Sequence, residues 1–437
     1  MLEKTLLDRL RAGEEVSLLE RLAAEEGMEK EALAQALLEG RAVIPANRAR
    51  PLRRPCVVGG GSRTKVNANL GTSSDYATIG EELEKLRAAV EAGADAVMDL
   101  STGGPIDEVR RAVVSASPVP VGTVPIYQAA VRAQEERGSI VAMKAEDIFR
   151  AVEDHCASGV DFITVHCGVT SGVLEALKAN PRVADIVSRG GAFLAGWILH
   201  NQEENPLYED FDRLLEIARR HEVTLSLGDG LRPGCIEDAS DAAQLAELVV
   251  LGELVRRCRE AGVQCMVEGP GHIPLHQVEA NVRMAKAITR GAPFYVLGPL
   301  VTDVAAGYDH IAAAIGGALA ALAGADFLCY VTPREHLGLP TADDVREGVV
   351  VTRIAGHAAD LARGLPGARA WDLEMSRARK GLDWEEQLRL ALDPVKARRL
   401  FGERQVEGER ACTMCGDFCA MRFIAEYLGR EEAPACD

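Results

Sequence analysis

The sequence is short of several things, and each shortage removes a class of protein. There is no basic surplus: Lys and Arg total 49 against 66 Asp and Glu, a formal net charge of −17. A nucleic-acid binder carries a basic face or stripe. The densest basic run here, Arg48, Arg50, Arg53 and Arg54, reads as a solvated connector. No apolar run is long enough to cross a membrane. The longest, Ile311 to Ala325, lies between His310 and Asp326 and falls short of the ~20 residues a spanning helix needs. Its Ala and Gly content suits a closely packed internal helix. The opening MLEKTLLDRLRAGEE is charged and amphipathic, without a secretory apolar core, so a cytoplasmic location is expected. Histidines number only nine, and the eleven cysteines are odd in number and spread along the chain. That is not a disulfide scaffold; isolated cysteines such as Cys56, Cys156, Cys235, Cys258, Cys265 and Cys329 read as buried small hydrophobes.

What remains is a globular composition, 47% apolar and 26% charged over 437 residues. Residues 1–55 read as a helical N-terminal region and connector. Ser17 with Glu20 suggests a capping box ahead of LLERLAAEEG, which Gly27 stops. The stretch IPANRARPLRRP follows as an extended connector. From residue 56 to 372, strand-like runs alternate with helix-period stretches. They are KVNANLG, ADAVMDL, VPVGTVPI, DFITVHC, AFLAGWIL, VTLSLGD, QCMVEG, FYVLG and FLCYV. Alternation of this kind predicts a parallel sheet. The fold class is α/β, a (β/α)8 TIM-like barrel, with one of the nine strand candidates surplus. Residues 373–437 read as a small helical module. Asp383 with Glu386 caps DWEEQLRLAL, Asp393 then Pro394 opens DPVKARRLF, and AMRFIAEYL runs to Gly429.

In such a barrel the site lies at the C-terminal ends of the strands. The residues found there are Asn69; Met98, Asp99 and Ser101; Tyr127; His166; Asp229, Gly230, Leu231 and Arg232; Glu268 and His272; Tyr295 and Asp303; Glu335 and His336. Their accumulation at one edge favours an active site there. His272 and His336 are candidate ligands of a divalent ion such as zinc. His276, one helical turn on, is a rival partner for His272. The glycine-rich GGGSRTK lacks the spacing of a phosphate loop and reads as a turn. SRGG, Ser188 to Gly191, offers backbone N–H groups and a guanidinium that suit phosphate. Ahead of a fifth strand, however, it reads as a turn. The sharpest signal is ACTMCGDFCAM, which sets Cys412, Cys415 and Cys419 in a C-x2-C-x3-C pattern. One reading is a structural zinc site with Cys436 as fourth ligand. The other is an iron–sulfur cluster on three thiolates, with one iron open to a small molecule. The close spacing, the lack of a paired C-x2-C and the helix directly after favour the cluster.

Taken in order, GRAVIPAN, KVNANLG, HCGVTSG, SRGG, GDGLRPG, VEGPGHIPL, FYVLGPLVTD and CTMCGDFC resemble the thiamin pyrimidine synthase (phosphomethylpyrimidine synthase) family. The resemblance covers most of the chain. It implies a radical S-adenosylmethionine lyase acting in thiamin biosynthesis. The reaction would convert 5-aminoimidazole ribonucleotide to 4-amino-5-hydroxymethyl-2-methylpyrimidine phosphate. By-products would be 5′-deoxyadenosine, methionine, formate and carbon monoxide. Carried over by motif, substrate contacts would be Asn69, Met98, Tyr127, His166, Ser188, Arg189, Gly190, Asp229, Gly230, Leu231, Arg232, Glu268 and Tyr295. His272 and His336 would hold Zn2+ or another divalent metal. Cys412, Cys415 and Cys419 would hold the [4Fe-4S] cluster. The resemblance further implies a homodimer and an electron donor such as flavodoxin or ferredoxin. The C-x2-C-x3-C spacing departs from the C-x2-C-x4-C of many long members. A paralogous group uses the same substrate to make 5-hydroxybenzimidazole for anaerobic cobamides, and that is the alternative activity.

Overall fold

The computed structural model describes residues 3–404 and 411–428, in two compact units divided at Arg363. The first unit is a closed eight-stranded parallel barrel with a helical N-terminal layer. Its strands are β1 (Lys65–Leu70), β2 (Ala96–Asp99), β3 (Val121–Thr123), β4 (Phe162–Val165), β5 (Thr224–Leu227), β6 (Cys265–Gly269), β7 (Phe294–Leu297) and β8 (Phe327–Cys329). Neighbours in sequence pair in parallel, and β8 closes on β1 through Phe327 opposite Lys65.

The surplus strand candidate is AFLAGWIL, which is helical. It belongs to the helix Arg189–Asn201, which buries Leu194, Ala195, Trp197 and Ile198. A continuous apolar run does not tell a buried strand from a buried helix. Here the i, i+1, i+3, i+4 burial is helical. The correction moves SRGG from a turn before a strand to the N-terminus of a helix that follows β4.

The bottom of the barrel repeats one device. A helix ends at a glycine, and an aspartate two residues on enters the next strand: Gly93-Ala-Asp95, Gly159-Val-Asp161, Gly324-Ala-Asp326. Gly93 and Gly324 adopt φ of 95° and 125°, which a side chain would resist. Each carboxylate then accepts an N–H from the neighbouring strand. Val66 donates to Asp95 at 2.9 Å, Val121 to Asp161 at 2.8 Å and Phe294 to Asp326 at 2.9 Å. Each also meets a cation: Arg63, Arg50 and Lys286 respectively. Arg50 therefore does not belong to a solvated connector. It also donates to the carbonyls of Ser117 and Val119 at 3.1 Å each, while Asn47 holds the carbonyls of Cys156 and Val160 at 2.8 Å each.

The N-terminal layer has its own small core, with Leu19, Leu22, Leu33, Leu37 and Ile44 buried. It docks through the fully buried Lys65 of β1, whose Nζ lies 2.9 Å from Glu26. The helix Ser17–Glu26 starts one residue earlier than a Ser17 cap requires. Val16 is its N-cap, and no capping box forms. Gly27 ends it as expected.

In the second unit, the helices Pro366–Gly381, Trp384–Leu390 and Pro394–Arg404 precede the cysteine segment and the helix Ala420–Tyr427. Asp383 accepts from the Glu386 N–H and Asp393 from the Lys396 N–H, both at 3.0 Å. Trp384 stacks on Phe401 at 4.7 Å. Gly429 and Cys436 lie outside the described residues.

Removing a buried carboxylate from this closure strips a cation of its counter-charge and leaves a strand N–H without its acceptor. Asp161→Ala is expected to destabilise the protein by ~3–5 kcal/mol, read as a lowered urea midpoint. A loss below ~1 kcal/mol would mean that the pair is solvated in solution.

Candidate active site

The C-terminal mouth of the barrel holds a cavity, at the end where barrels of this kind place their ligands. Asn69, Met98, Tyr127, His166, Asp229, Arg232, Glu268 and Tyr295 all line it. They come from seven different strand ends, which only barrel closure brings together. Cys329, read from the sequence as a packing residue, lines it too. Its sulfur accepts from Asn69 Nδ2 at 3.1 Å. Its place at the end of β8 was the available signal.

Around the wall the polar groups hold one another. Thr164 and Ser226 donate to Glu268 Oε1 at 2.7 and 2.8 Å. Asn67 donates to the Tyr295 hydroxyl at 2.7 Å, and Tyr295 points on to Met98 Sδ at 3.5 Å. Arg232 reaches Asp229 Oδ1 at 3.1 Å. Thr164, Ser226 and Asn67 escaped the sequence reading because they lie inside strands, where threonine, serine and asparagine carry no functional signature.

Burial sets the protonation of this wall. It pushes the carboxyls of Asp229 and Glu268 upward, with Arg232 opposing it in both cases. Burial, with the charge of Arg232, drives His166 down to about 3. The imidazole is thus neutral at physiological pH. Among the described residues, three buried atoms here lack a protein partner: Asn67 Oδ1, Asp229 Oδ2 and His166 Nδ1. Buried polar atoms are rarely left so, and a polar ligand is the usual remedy.

Ser188 caps the helix Arg189–Asn201, accepting from the Gly191 N–H at 3.3 Å, and its Oγ lies 3.2 Å from His166 Nε2. The Arg189 guanidinium lies over the Tyr127 ring, 5.1 Å from its centroid. A Cβ at Gly190 would strike the His166 ring. Gly230 and Leu231 hold the loop rather than lining the cavity. Their N–H groups donate to Glu247 at 2.8 and 2.7 Å, and Leu231 is wholly buried.

The two candidate metal ligands meet. The rings of His272 and His336 are 5.3 Å apart. His272 turns Nδ1 to Asp303 at 2.8 Å, and His336 turns Nδ1 to Asp309 at 3.2 Å. This is the outer-shell pattern that fixes a ligating histidine and leaves Nε2 for a metal. Asp309 was missed in the sequence because it opens an otherwise apolar helix. His276 is exposed on the helix Leu275–Ile288. Among the described residues no three His, Cys, Asp or Glu side chains are grouped to hold one ion. The pair therefore suits a metal that takes its remaining ligands from elsewhere. In the second unit, the N–H groups of Cys415 and Gly416 both donate to the Cys412 carbonyl, at 3.2 and 3.0 Å. Cys412 is half-buried, Cys415 exposed and Cys419 buried. Three thiols within two turns are the donor chemistry an iron–sulfur cluster uses.

A barrel with a polar mouth cavity and a separate three-cysteine segment defines an iron–sulfur enzyme built on a TIM barrel. Residues 5–426 match the Radical SAM ThiC family, and the chain belongs to that family. It thus uses S-adenosylmethionine and an iron–sulfur cluster. The chain is 64% identical to the phosphomethylpyrimidine synthase of Moorella thermoacetica, over 98% of this chain and 99% of that one. It is 61% identical to the phosphomethylpyrimidine synthase of Desulforamulus reducens, over 96% and 98%. Among solved structures, the dihydropteroate synthase of Yersinia pestis is similar at 13% identity and TM-score 0.41, over 74% of this chain and 98% of that one.

Two outcomes follow from the geometry. His166 is expected not to titrate between pH 5 and 8 in histidine-selective NMR. Its folded pKa lies below the unfolded ~6.5, so its contribution to stability is lost as pH falls through that value toward about 3. A ring that protonates near pH 6.5 would mean a solvated site. Asp303→Ala is expected to weaken divalent-metal affinity ~10–100-fold, measured by competition with a chelating dye. His276→Ala is expected to leave it unchanged.

Proposed function

We propose that the mouth cavity binds 5-aminoimidazole ribonucleotide and that the chain converts it to 4-amino-5-hydroxymethyl-2-methylpyrimidine phosphate. The observation that carries this is the near-complete match to phosphomethylpyrimidine synthases at 64% and 61% identity. The site's chemistry suits the substrate. Ser188, Arg189 and Gly190 stand at a helix N-terminus, where N–H groups and a guanidinium favour phosphate. Gly190 keeps the backbone close to His166, where a side chain would not fit. Asp229 and Glu268 offer buried carboxyls to the amino group and ring of an aminoimidazole. Burial pushes both carboxyls upward, toward the protonated form that can donate as well as accept a hydrogen bond. Met98, Tyr127 and Tyr295 supply apolar walls, and Asn69 an amide. Gly230 and Leu231 belong to the substrate loop through their backbone.

When bound on Cys412, Cys415 and Cys419, the cluster supplies the low-potential electron that cleaves the sulfonium of S-adenosylmethionine. A divalent ion such as zinc on His272 and His336 would help orient a carboxylate or amino ligand. A flavodoxin or ferredoxin would provide the electron, and the working enzyme would be a homodimer.

The test is anaerobic. The protein is reconstituted with iron and sulfide, then given reductant, S-adenosylmethionine and 5-aminoimidazole ribonucleotide, and products are weighed by mass spectrometry. Hydroxymethylpyrimidine phosphate with 5′-deoxyadenosine is expected. 5-Hydroxybenzimidazole instead would assign the chain to the cobamide branch. Cys415→Ala is expected to abolish 5′-deoxyadenosine while the circular dichroism spectrum stays native; full activity in that variant would sink the mechanism.

A further inference from the structure

The loop that carries Asp229 and Arg232 stands between two cavities. The mouth cavity is one. A second, smaller one shares Asp229, Arg232, Glu268 and Gly269 with it and is otherwise lined from the helix side by Gln244, Glu247 and their neighbours. Leu231 packs into the core and Gly230 lies close against Val169 and Gly191, but something must also satisfy the buried backbone N–H and C=O groups of this segment.

Two buried charged side chains do. Glu247, on the helix Ala242–Ala261, is 2% exposed. One of its oxygens accepts the Gly230 N–H at 2.8 Å and the other the Leu231 N–H at 2.7 Å. From the opposite polarity, Arg182 donates Nη2 to the Leu231 carbonyl at 2.6 Å. Arg182 is itself fixed by Asp241, the N-cap of that same helix, through bonds of 2.6 and 2.7 Å. One peptide segment is thus gripped by its donors and by its acceptor, and both grips trace to one helix. Gly168 leaves the room for this, since a Cβ there would lie 2.8 Å from the Glu247 side chain.

We propose that Glu247 and Arg182 are positioning residues, a clamp that sets the 229–232 loop so that Asp229 and Arg232 face the substrate. Neither touches the mouth cavity. Arg182 also stands six residues before Ser188 in the chain, where the segment proposed for phosphate begins. The substrate arm of this inference rests on the function proposed above; the hold on the loop does not.

Glu247→Gln separates the possibilities. A carboxamide keeps the shape but turns an N–H donor toward one of the two backbone donors. The expected result in the full-length protein is faster hydrogen exchange at Gly230 and Leu231, read by mass spectrometry of the 228–234 peptide. The Kd for 5-aminoimidazole ribonucleotide should rise ~10-fold or more, as small misplacements of binding groups commonly cause. Asp326→Asn, at the far end of the barrel, is the control for stability alone. It should lower the melting temperature without changing that Kd. Glu247→Asp, shorter by one methylene, should fall between wild type and Gln, and it carries the same readouts if the Gln variant does not fold. Native exchange in Glu247→Gln would overturn the clamp. So would lost protection with an unchanged Kd, or a Kd change matched by Asp326→Asn. If wild type itself does not bind the nucleotide, the substrate reading fails, and the exchange measurement still decides whether the loop is held.

Discussion

Barrel closure at the bottom is the constraint on which the rest depends. A strand that slips by one residue turns every side chain to the other face. The mouth residues, which come from seven strand ends, would then scatter. Asp95, Asp161 and Asp326 prevent this by pairing reciprocally with a single residue on the neighbouring strand. Each aspartate accepts an N–H on its side chain, and its own N–H goes to the carbonyl of Val66, Val121 or Phe294 at 2.8 to 2.9 Å. The bond is charge-assisted and buried, so a register error forfeits more than an ordinary ladder bond. Arg63, Arg50 and Lys286 offset the desolvation of these carboxylates.

The two ends of the barrel give their buried carboxylates different partners. At the bottom each has a cation and a backbone donor. At the mouth Glu268 has two hydroxyl donors and the Asp229 backbone N–H, and Asp229 has one oxygen on Arg232 and one without a partner among the described residues. The same low dielectric that makes the bottom pairs strong makes the mouth carboxyls reluctant to ionise. Stability and chemistry are thus built from one kind of group by the partners it receives. This is the physical content of the rule that barrels react at one end and hold together at the other.

Much of this was legible in the sequence, and the failures share a cause. The barrel showed in its alternation, and the mouth residues showed as polar side chains closing apolar runs. His272 and His336 were found as candidates, but only the fold could show that their rings meet. The segment at Ala192 was misread because a buried helix and a buried strand are equally apolar. Arg50 was misread because charge in a proline-rich stretch resembles a solvated linker, and its partner Asp161 is far away in sequence. Cys329 looked inert because its neighbours are apolar; the groups it meets, Asn69 and Tyr295, come from other strands. The repeated Gly-x-Asp entry was visible as GADAV, GVDF and GADF, and its meaning needed the adjacent strand.

A further economy lies in how the mouth loops are fixed. Three of them are held by carboxylates that accept backbone N–H groups: Glu82 for Gly71 at 2.7 Å after β1, Glu204 for Ser171 at 3.0 Å after β4, and after β5 Glu247 for Gly230 and Leu231 and Asp303 for Ile236 at 2.9 Å. Such loops keep their side chains aimed without a ligand to order them. Binding then does not spend its free energy on arranging the wall. Asp303 illustrates the reach of the device, since its other oxygen holds His272. One side chain therefore fixes both the backbone after β5 and the ring after β6. A site that must govern a reactive intermediate needs this kind of wall, because a group that arrives late or swings away leaves the intermediate open to side reactions. The cost is clearest at Glu247, a buried carboxylate held by backbone donors, and the paired aspartates at the other end of the barrel supply stability that offsets it.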